Sequence, residues 1–377
     1  MHGMPVQCRK LNAGLATRGE DITMNENTAP SESKGSLLGR LVRIFLKALG
    51  TILVLIVLAI VAFNIYLSSR PAPRFVRPAG TITVPAPFHL GRSFIDYMTI
   101  DGHRLYAGYT SAGLVGVIDT ATSQPAGTLT GLGHTHGIAV VTGSNLGFAS
   151  DSGDNTVGVF DLNTQRLLQK IPAGIDPDAI IYDPKLNLVY AGNHDGKTAT
   201  LIDAATQKVV ANIQLGGEPE YAQADPATGL IYQNLEDTSE LVVVDPQKQA
   251  VTQRYKLAPC EGPTGLALDA ANHRLFSACR SKHLVVLNSD TGEIVAVLPI
   301  GAGVDGAGYD PVLRRVYTAN AMGNMTVIQQ ESADQYRVLE NAPTHFGGHS
   351  LVIDPATHRI YVAHFGSIAI YDPLPRP

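Results

Sequence analysis

With 377 residues and 45% hydrophobic content the chain is long enough to bury a large core, and its 37 Gly and 23 Pro fall mainly between short alternating runs, which points to an all-β fold rather than to disorder. Residues 1–77 hold ten Lys or Arg against four Asp or Glu, whereas the remainder holds 18 against 29, a deficit of eleven. An acidic body does not attract phosphate backbones, and no Lys/Arg cluster after residue 92 offers the basic patch that binding would need, which argues against nucleic acid as a partner.

Residues 1–33 are polar and unpatterned and read as a disordered tail, with Met24 an alternative start. The tail is expected to extend to residue 47. From Ala48 to Leu67 there is no charge, and twenty residues at about 1.5 Å each cross about 30 Å of hydrocarbon. A membrane span is therefore expected over 48–67. The alternative, a cleaved signal peptide, fits less well, because the run is long and no small-x-small cleavage site follows it. Lys34, Arg40, Arg43 and Lys47 precede the span and Arg70, Arg74 and Arg77 follow it, a slight bias toward a cytoplasmic amino terminus. The expected location is the inner (cytoplasmic) membrane, crossed once, with the rest of the chain in the periplasm or outside the cell. A proline-rich linker is expected over 68–78.

An aromatic then recurs at Tyr106, Phe148, Tyr190, Tyr232, Phe276, Tyr317 and Tyr361, in steps of 42, 42, 42, 44, 41 and 44 residues. Around each lies an apolar run ending in a turn, often Asp-Pro, then the aromatic, a polar loop, a second apolar run and usually an Asp. In residues 176–217 this predicts strand a at Ala179 to Tyr182, b at Leu188 to Ala191, c at Ala199 to Asp203 and d at Lys208 to Gln214. Four short strands per repeat of about 40–45 residues are the signature of a propeller blade, so residues 79–377 are predicted to form one seven-bladed β-propeller. Tryptophan is absent, which excludes the repeat that ends each blade in Trp-Asp.

The last repeat lacks a fourth strand of its own, while Pro78-Ala79-Gly80-Thr81-Ile82-Thr83 copies the fourth strand of the first repeat, Pro125-Ala126-Gly127-Thr128-Leu129-Thr130. Residues 79–84 are therefore expected to close the ring and remove its open edges. The tether would then leave from the a-to-b turn face, and the d-to-a and b-to-c loops would face away from the bilayer.

The residue opening each strand a is expected to point into the central channel at that outward face. These positions are Asp96, His136, Asp178, Glu220, Thr264, Asp305 and His349, six of them ionisable. The ends of strands b add Asp151, Asn193, His194, Asn320 and His364 at the same mouth. Carboxylate and imidazole sets of this kind hold divalent metal ions, and the arc His136, Asp96, His349 is the candidate coordinating set. The alternative is a water-filled shaft whose polar walls need no ligand. A carboxylate between two histidines would raise their pKa values.

Cys260 and Cys279 map to one face of the fifth blade and, outside the cytoplasm, are expected to form a disulfide; two buried free thiols are the alternative. Cys8 lies on the cytoplasmic side. Gly301-Ala302-Gly303-Val304-Asp305-Gly306 matches the dinucleotide fingerprint in letters, but Tyr309-Asp310-Pro311 follows as strand and turn where a helix is needed. Asn324-Met325-Thr326 is a glycosylation sequon only in a glycosylating host. No phosphate loop, His-Glu-x-x-His or Gly-x-Ser-x-Gly element is present.

Tyr-x-Ala-Asn or its close variant at Tyr190 to Asn193 and Tyr317 to Asn320, with Val/Leu-Ile-Asp closing strand c, resembles the YVTN-repeat propellers of bacteria and archaea. Asp176-Pro177-Asp178-Ala179-Ile180, Glu236-Asp237-Thr238-Ser239-Glu240, Ala258-Pro259-Cys260-Glu261 and Pro299-Ile300-Gly301 resemble the YncE-type subgroup. The resemblance covers residues 78–377 and implies a seven-bladed, usually exported propeller of the quinoprotein amine dehydrogenase-like and WD40-like superfamilies, mostly without assigned catalysis. Fold membership does not transfer quinone chemistry.

With no nucleophile–base pair at readable spacing, binding rather than catalysis is expected: a membrane-anchored module whose outward loop face holds a protein, peptide or small molecule. The alternatives are a metal-dependent lyase or hydrolase centred on Asp96, His136, Asp178 and His349, and an accessory sensor or assembly factor for an envelope complex.

Overall fold

The computed structural model describes residues 37–83 and 94–375. They fall into two compact units divided between Ser69 and Arg70. The tail over 1–33, Cys8, Met24 and the end of the expected closing strand at Val84 lie outside the described residues.

The first unit contributes one helix, Leu37–Ser68, and Leu38–Tyr66 is long and apolar enough to cross a membrane. The helix begins eleven residues before the expected span, because Leu41, Val42, Phe45 and Leu46 continue the apolar pattern around Arg40, Arg43 and Lys47.

The second unit is a seven-bladed propeller: among the described residues, seven four-stranded antiparallel sheets. The repeat aromatic of strand b is buried in every blade, with Tyr106 at 2% exposure and Tyr190, Tyr317 and Tyr361 at 0%. Each of the apolar clusters gathers side chains from two neighbouring blades, as in the set joining Phe148, Val157 and Val159 to Val189, Ala191 and Ile202. The turn aspartates are spent locally. Asp183, Asp225, Asp310 and Asp354 accept amide hydrogens of the a-to-b turns, and Asp119, Asp161 and Asp203 do so after strand c.

The ring closes in the seventh sheet, where Val76–Thr83 lies antiparallel to Ser367–Pro373, with Val76 opposite Pro373 and Thr83 opposite Ser367. The closing strand thus starts three residues before the expected position 79. Its copied sequence carries a copied conformation, with φ of 154° at Gly80 and 148° at Gly127.

Upstream of this strand the chain doubles back. Phe75 lies at the a-to-b turn face, where its carbonyl accepts from Leu374 N–H at 2.8 Å, and Arg74 and Phe75 N–H donate to Glu340 at 2.8 and 2.7 Å. Arg70 donates to the Gly323 carbonyl at 2.6 Å and lies over the Phe346 ring. Gly323 belongs to a b-to-c loop, so the Arg70 guanidinium reaches the mouth side.

The Cys260 and Cys279 sulfurs are bonded, with Cα atoms 5.5 Å apart and the two residues 19 positions apart in sequence. A loop of that length contributes about 3 kcal/mol on chain-entropy grounds.

Candidate ligand-binding site at the channel mouth

Strand a carries the channel residues, and in six blades it is irregular at that point. The pairing register shifts between Ile95 and Met98, Thr135 and Ile138, Pro177 and Ile180, Pro219 and Ala222, Pro263 and Leu266, and Val304 and Gly306. Each bulge carries one of the predicted positions, from Asp96 to Asp305, and bulges re-aim side chains. Close blade contact also requires Gly108: a Cβ there would fall 1.9 Å from the His136 carbonyl oxygen.

A cavity of about 260 Å³ opens among these residues, lined in part by Asp96, His136, Asp178, Glu220, Asp305 and His349. His194, from the end of a strand b, joins them. Asp305 contacts His349 Nδ1 very closely; His349 Nε2 is 3.1 Å from Asp96 Oδ1; Asp96 Oδ2 is 2.6 Å from His136 Nδ1. His136 Nδ1 is also 2.9 Å from Asp178 Oδ1, and Tyr97 O–H donates to Asp178 Oδ2 at 3.3 Å. On the other flank His194 Nε2 is 3.7 Å from Glu220 Oε1, and Arg280 reaches Glu236 at 2.8 Å and Asp305 at 3.9 Å. Acid and base alternate around much of the mouth.

The protonation states follow from this alternation. Burial alone would lower His136, but Asp178 and Asp96 raise it to about 11. His349 is likewise lifted against burial, by Asp305 and Asp96, to about 10. Burial works to raise Asp96, yet hydrogen bonds from both histidines hold it at about 2. Burial raises Asp178, and burial together with the charges of Asp178 and Asp305 raises Glu220 well above the usual carboxylate range.

Other predicted residues are spent elsewhere. Asp151 is fully buried, with Oδ1 accepting from Gly133 and His134 N–H, both at 2.8 Å, and Oδ2 paired to Lys170 at 2.9 Å. It secures a loop and does not line the cavity. Thr264 donates to the Val304 carbonyl at 3.1 Å. Asn193 donates to Thr198 and Thr200, and Asn320 to Asn324 and Thr326.

His364 lies outside the lining too, with Nδ1 3.4 Å from the Phe346 carbonyl and its ring packed edge-on to His345. Burial, then the neighbouring His345 charge, pulls its pKa from 6.5 to about 4. A base depressed in this way binds fewer protons folded than unfolded. Its stability contribution is full above pH 6.5 and is lost as pH falls toward 4, by at most about 3 kcal/mol. His364→Leu should therefore flatten the acid limb of stability; urea midpoints at pH 7.5 and 4.5 measure it.

Sequence reasoning missed Tyr97, Asp176, Arg280 and Ser152. Asp176, φ 59°, sits between two imidazoles, 4.0 Å from His136 Nε2 and 3.9 Å from His194 Nδ1. Its signal was proximity: it stands two residues before Asp178. Ser152 Oγ lies 3.0 Å from His136 Nε2. Arg280 follows Cys279 directly and is positioned by the fifth blade's loop.

Three groups of donor atoms lie close enough together to hold one ion: Asp96, His136 and Asp178; Asp176, His194 and Asp195; and His194, Glu220 and Glu236. His349, expected among the ligands, reaches the first group only through Asp96.

No family model matches the chain, and no curated protein matches it. Among solved structures, Kuenenia stuttgartiensis hydrazine synthase is similar, with a TM-score of 0.64 at 16% identity, covering 74% of this chain and 95% of that one. At that identity the likeness shows the propeller fold alone.

Proposed function

We propose that the chain is a membrane-anchored binding module, of the YVTN type, that seats a compact, positively charged ligand in the channel mouth outside the cytoplasm. One observation carries this reading: five carboxyl groups, those of Asp96, Asp176, Asp178, Glu220 and Asp305, converge on one small cavity beside the imidazoles of His136, His194 and His349 and the guanidinium of Arg280. A cavity of about 260 Å³ suits an ion, a small amine or one side chain of a partner rather than a large cofactor. Glu220, buried beside Asp178 and Asp305, gains most from an incoming positive charge.

The test is thermal unfolding of the full chain in detergent with a panel of small amines and guanidines, in chelator. Stabilisation by at least one member, lost in Glu220→Gln and Asp305→Asn but kept in the exposed Asp101→Asn, supports the reading; equal response in all four proteins defeats it. A second reading, a metal-dependent lyase or hydrolase, is favoured by the cluster of Asp96, His136 and Asp178 at the cavity wall.

A further inference from the structure

We infer that Asp96 Oδ2, His136 Nδ1 and Asp178 Oδ1 form a binding site for one divalent transition-metal ion, with His349 as an outer partner. The inference rests on the mouth-pocket reading and gives its first occupant. Each of the three groups has one atom held from behind and the other turned toward a common point. Asp96 Oδ1 is held by His349 Nε2 at 3.1 Å, which leaves Oδ2. Asp178 Oδ2 is held by the Tyr97 hydroxyl at 3.3 Å, which leaves Oδ1. His136 Nε2 meets Ser152 Oγ at 3.0 Å and keeps its proton there; on binding, the ion takes the place of the hydrogen that Nδ1 carries between the two carboxylates, and that proton leaves to solvent.

The second observation is Asp178 itself. It is 8% exposed, and its buried Oδ1 has no hydrogen-bond partner although it lies 2.9 Å from His136 Nδ1. A single Nδ1 hydrogen serves Asp96 at 2.6 Å and does not satisfy this oxygen. This oxygen faces the imidazole without a hydrogen of its own, and an ion in place of the one shared Nδ1 hydrogen would serve both carboxylates and the nitrogen at once.

The spacing fits. Donor atoms each about 2.1 Å from one ion and at right angles to one another sit about 3 Å apart. The His136 nitrogen is 2.6 and 2.9 Å from the two oxygens, and all three ligand atoms lie within 4.8 Å of one another. Two carboxylates balance a dication, and one imidazole with two oxygens selects the zinc, manganese or iron class over calcium. Three protein ligands leave positions open toward the cavity, where a further ligand atom enters.

The experiment uses the full-length chain in detergent, stripped with chelator, desalted, and titrated with Zn²⁺ and Mn²⁺ by calorimetry, with elemental analysis of what is retained. The expected result is one equivalent of at least one of the two ions. Asp178→Asn should weaken it at least tenfold, and Ser152→Ala and Tyr97→Phe, which touch no ion, about tenfold. The circular dichroism and melting of each stripped variant establish that it folds, and Ser152→Ala carries the test if Asp178→Asn does not. The inference is overturned if stripped wild type takes up neither ion stoichiometrically, if Asp178→Asn binds as wild type does, or if His194→Ala abolishes binding while Asp178→Asn leaves it intact. Amine binding in chelator, read through Glu220→Gln, is independent of all three outcomes, so failure of the metal site is distinguishable from failure of the pocket.

Discussion

Replacing Val76–Thr83 by a Gly/Ser linker of equal length abolishes cooperative unfolding of the propeller. This strand is the fourth of the seventh sheet, and without it Ser367–Pro373 becomes an open edge. Val76 is 0% and Ile82 3% exposed, and burying two such side chains stabilises by about 3–6 kcal/mol. A domain's entire margin is about 5–15 kcal/mol. The lesion also lies where the ring meets itself: Ile82 packs among Ile95, Met98 and Leu105 of the first blade, and Val76 among Tyr317 and Val327 of the sixth. The loss therefore spreads to both neighbours. A scan of fluorescence and far-ultraviolet circular dichroism against urea reads the result; a single sharp transition within 1 M of wild type would show that the ring closes without this strand.

Asp96→Asn is expected to be the most damaging single substitution at the mouth. In chelator it should cost about 3–5 kcal/mol, the range for removing one partner of a buried ion pair. Among the described residues Asp96 alone joins both histidines, His136 Nδ1 at 2.6 Å and His349 Nε2 at 3.1 Å, and the two partners are largely covered, at 14% and 22% side-chain exposure. Neutralising it leaves each imidazole with one carboxylate in place of two, Asp178 beside His136 and Asp305 beside His349, and with an amide on the other side. By contrast Asp119→Asn, at an exposed c-to-d turn, should remain within about 1 kcal/mol of wild type, since it alters only turn hydrogen bonds. Urea midpoints of the three proteins at pH 7 give the comparison. Equal midpoints for Asp96→Asn and wild type would mean that the mouth charges contribute nothing to holding blades one, two and seven together.

The blade architecture was legible because every part of it is local and repeated. A buried aromatic about every 42 residues, a turn aspartate capping its own amides, and alternating apolar runs are decided within one blade and its neighbour, so the period survives in the linear order. The closing strand was legible because Pro78 to Thr83 repeats a strand that already had a place. Its true start at Val76 was not, since proline at 78 suggested linker, whereas the pairing register continues to Val76 opposite Pro373.

What the sequence by itself determined was the ring: seven sheets, their order, and a circle of polar positions at one mouth. Only the tertiary structure decided which members of the circle meet. Bulges aim Asp178 at His136 and loops bring Tyr97, Ser152, Asp176 and Arg280 behind or between them, while Asp151 and His364 turn to other partners. The physical reason is one of range. Strand formation and blade packing depend on neighbours a few residues or one repeat away, whereas distances across the mouth depend on bulge geometry and side-chain rotamers from several blades at once, which leave no periodic trace in the chain.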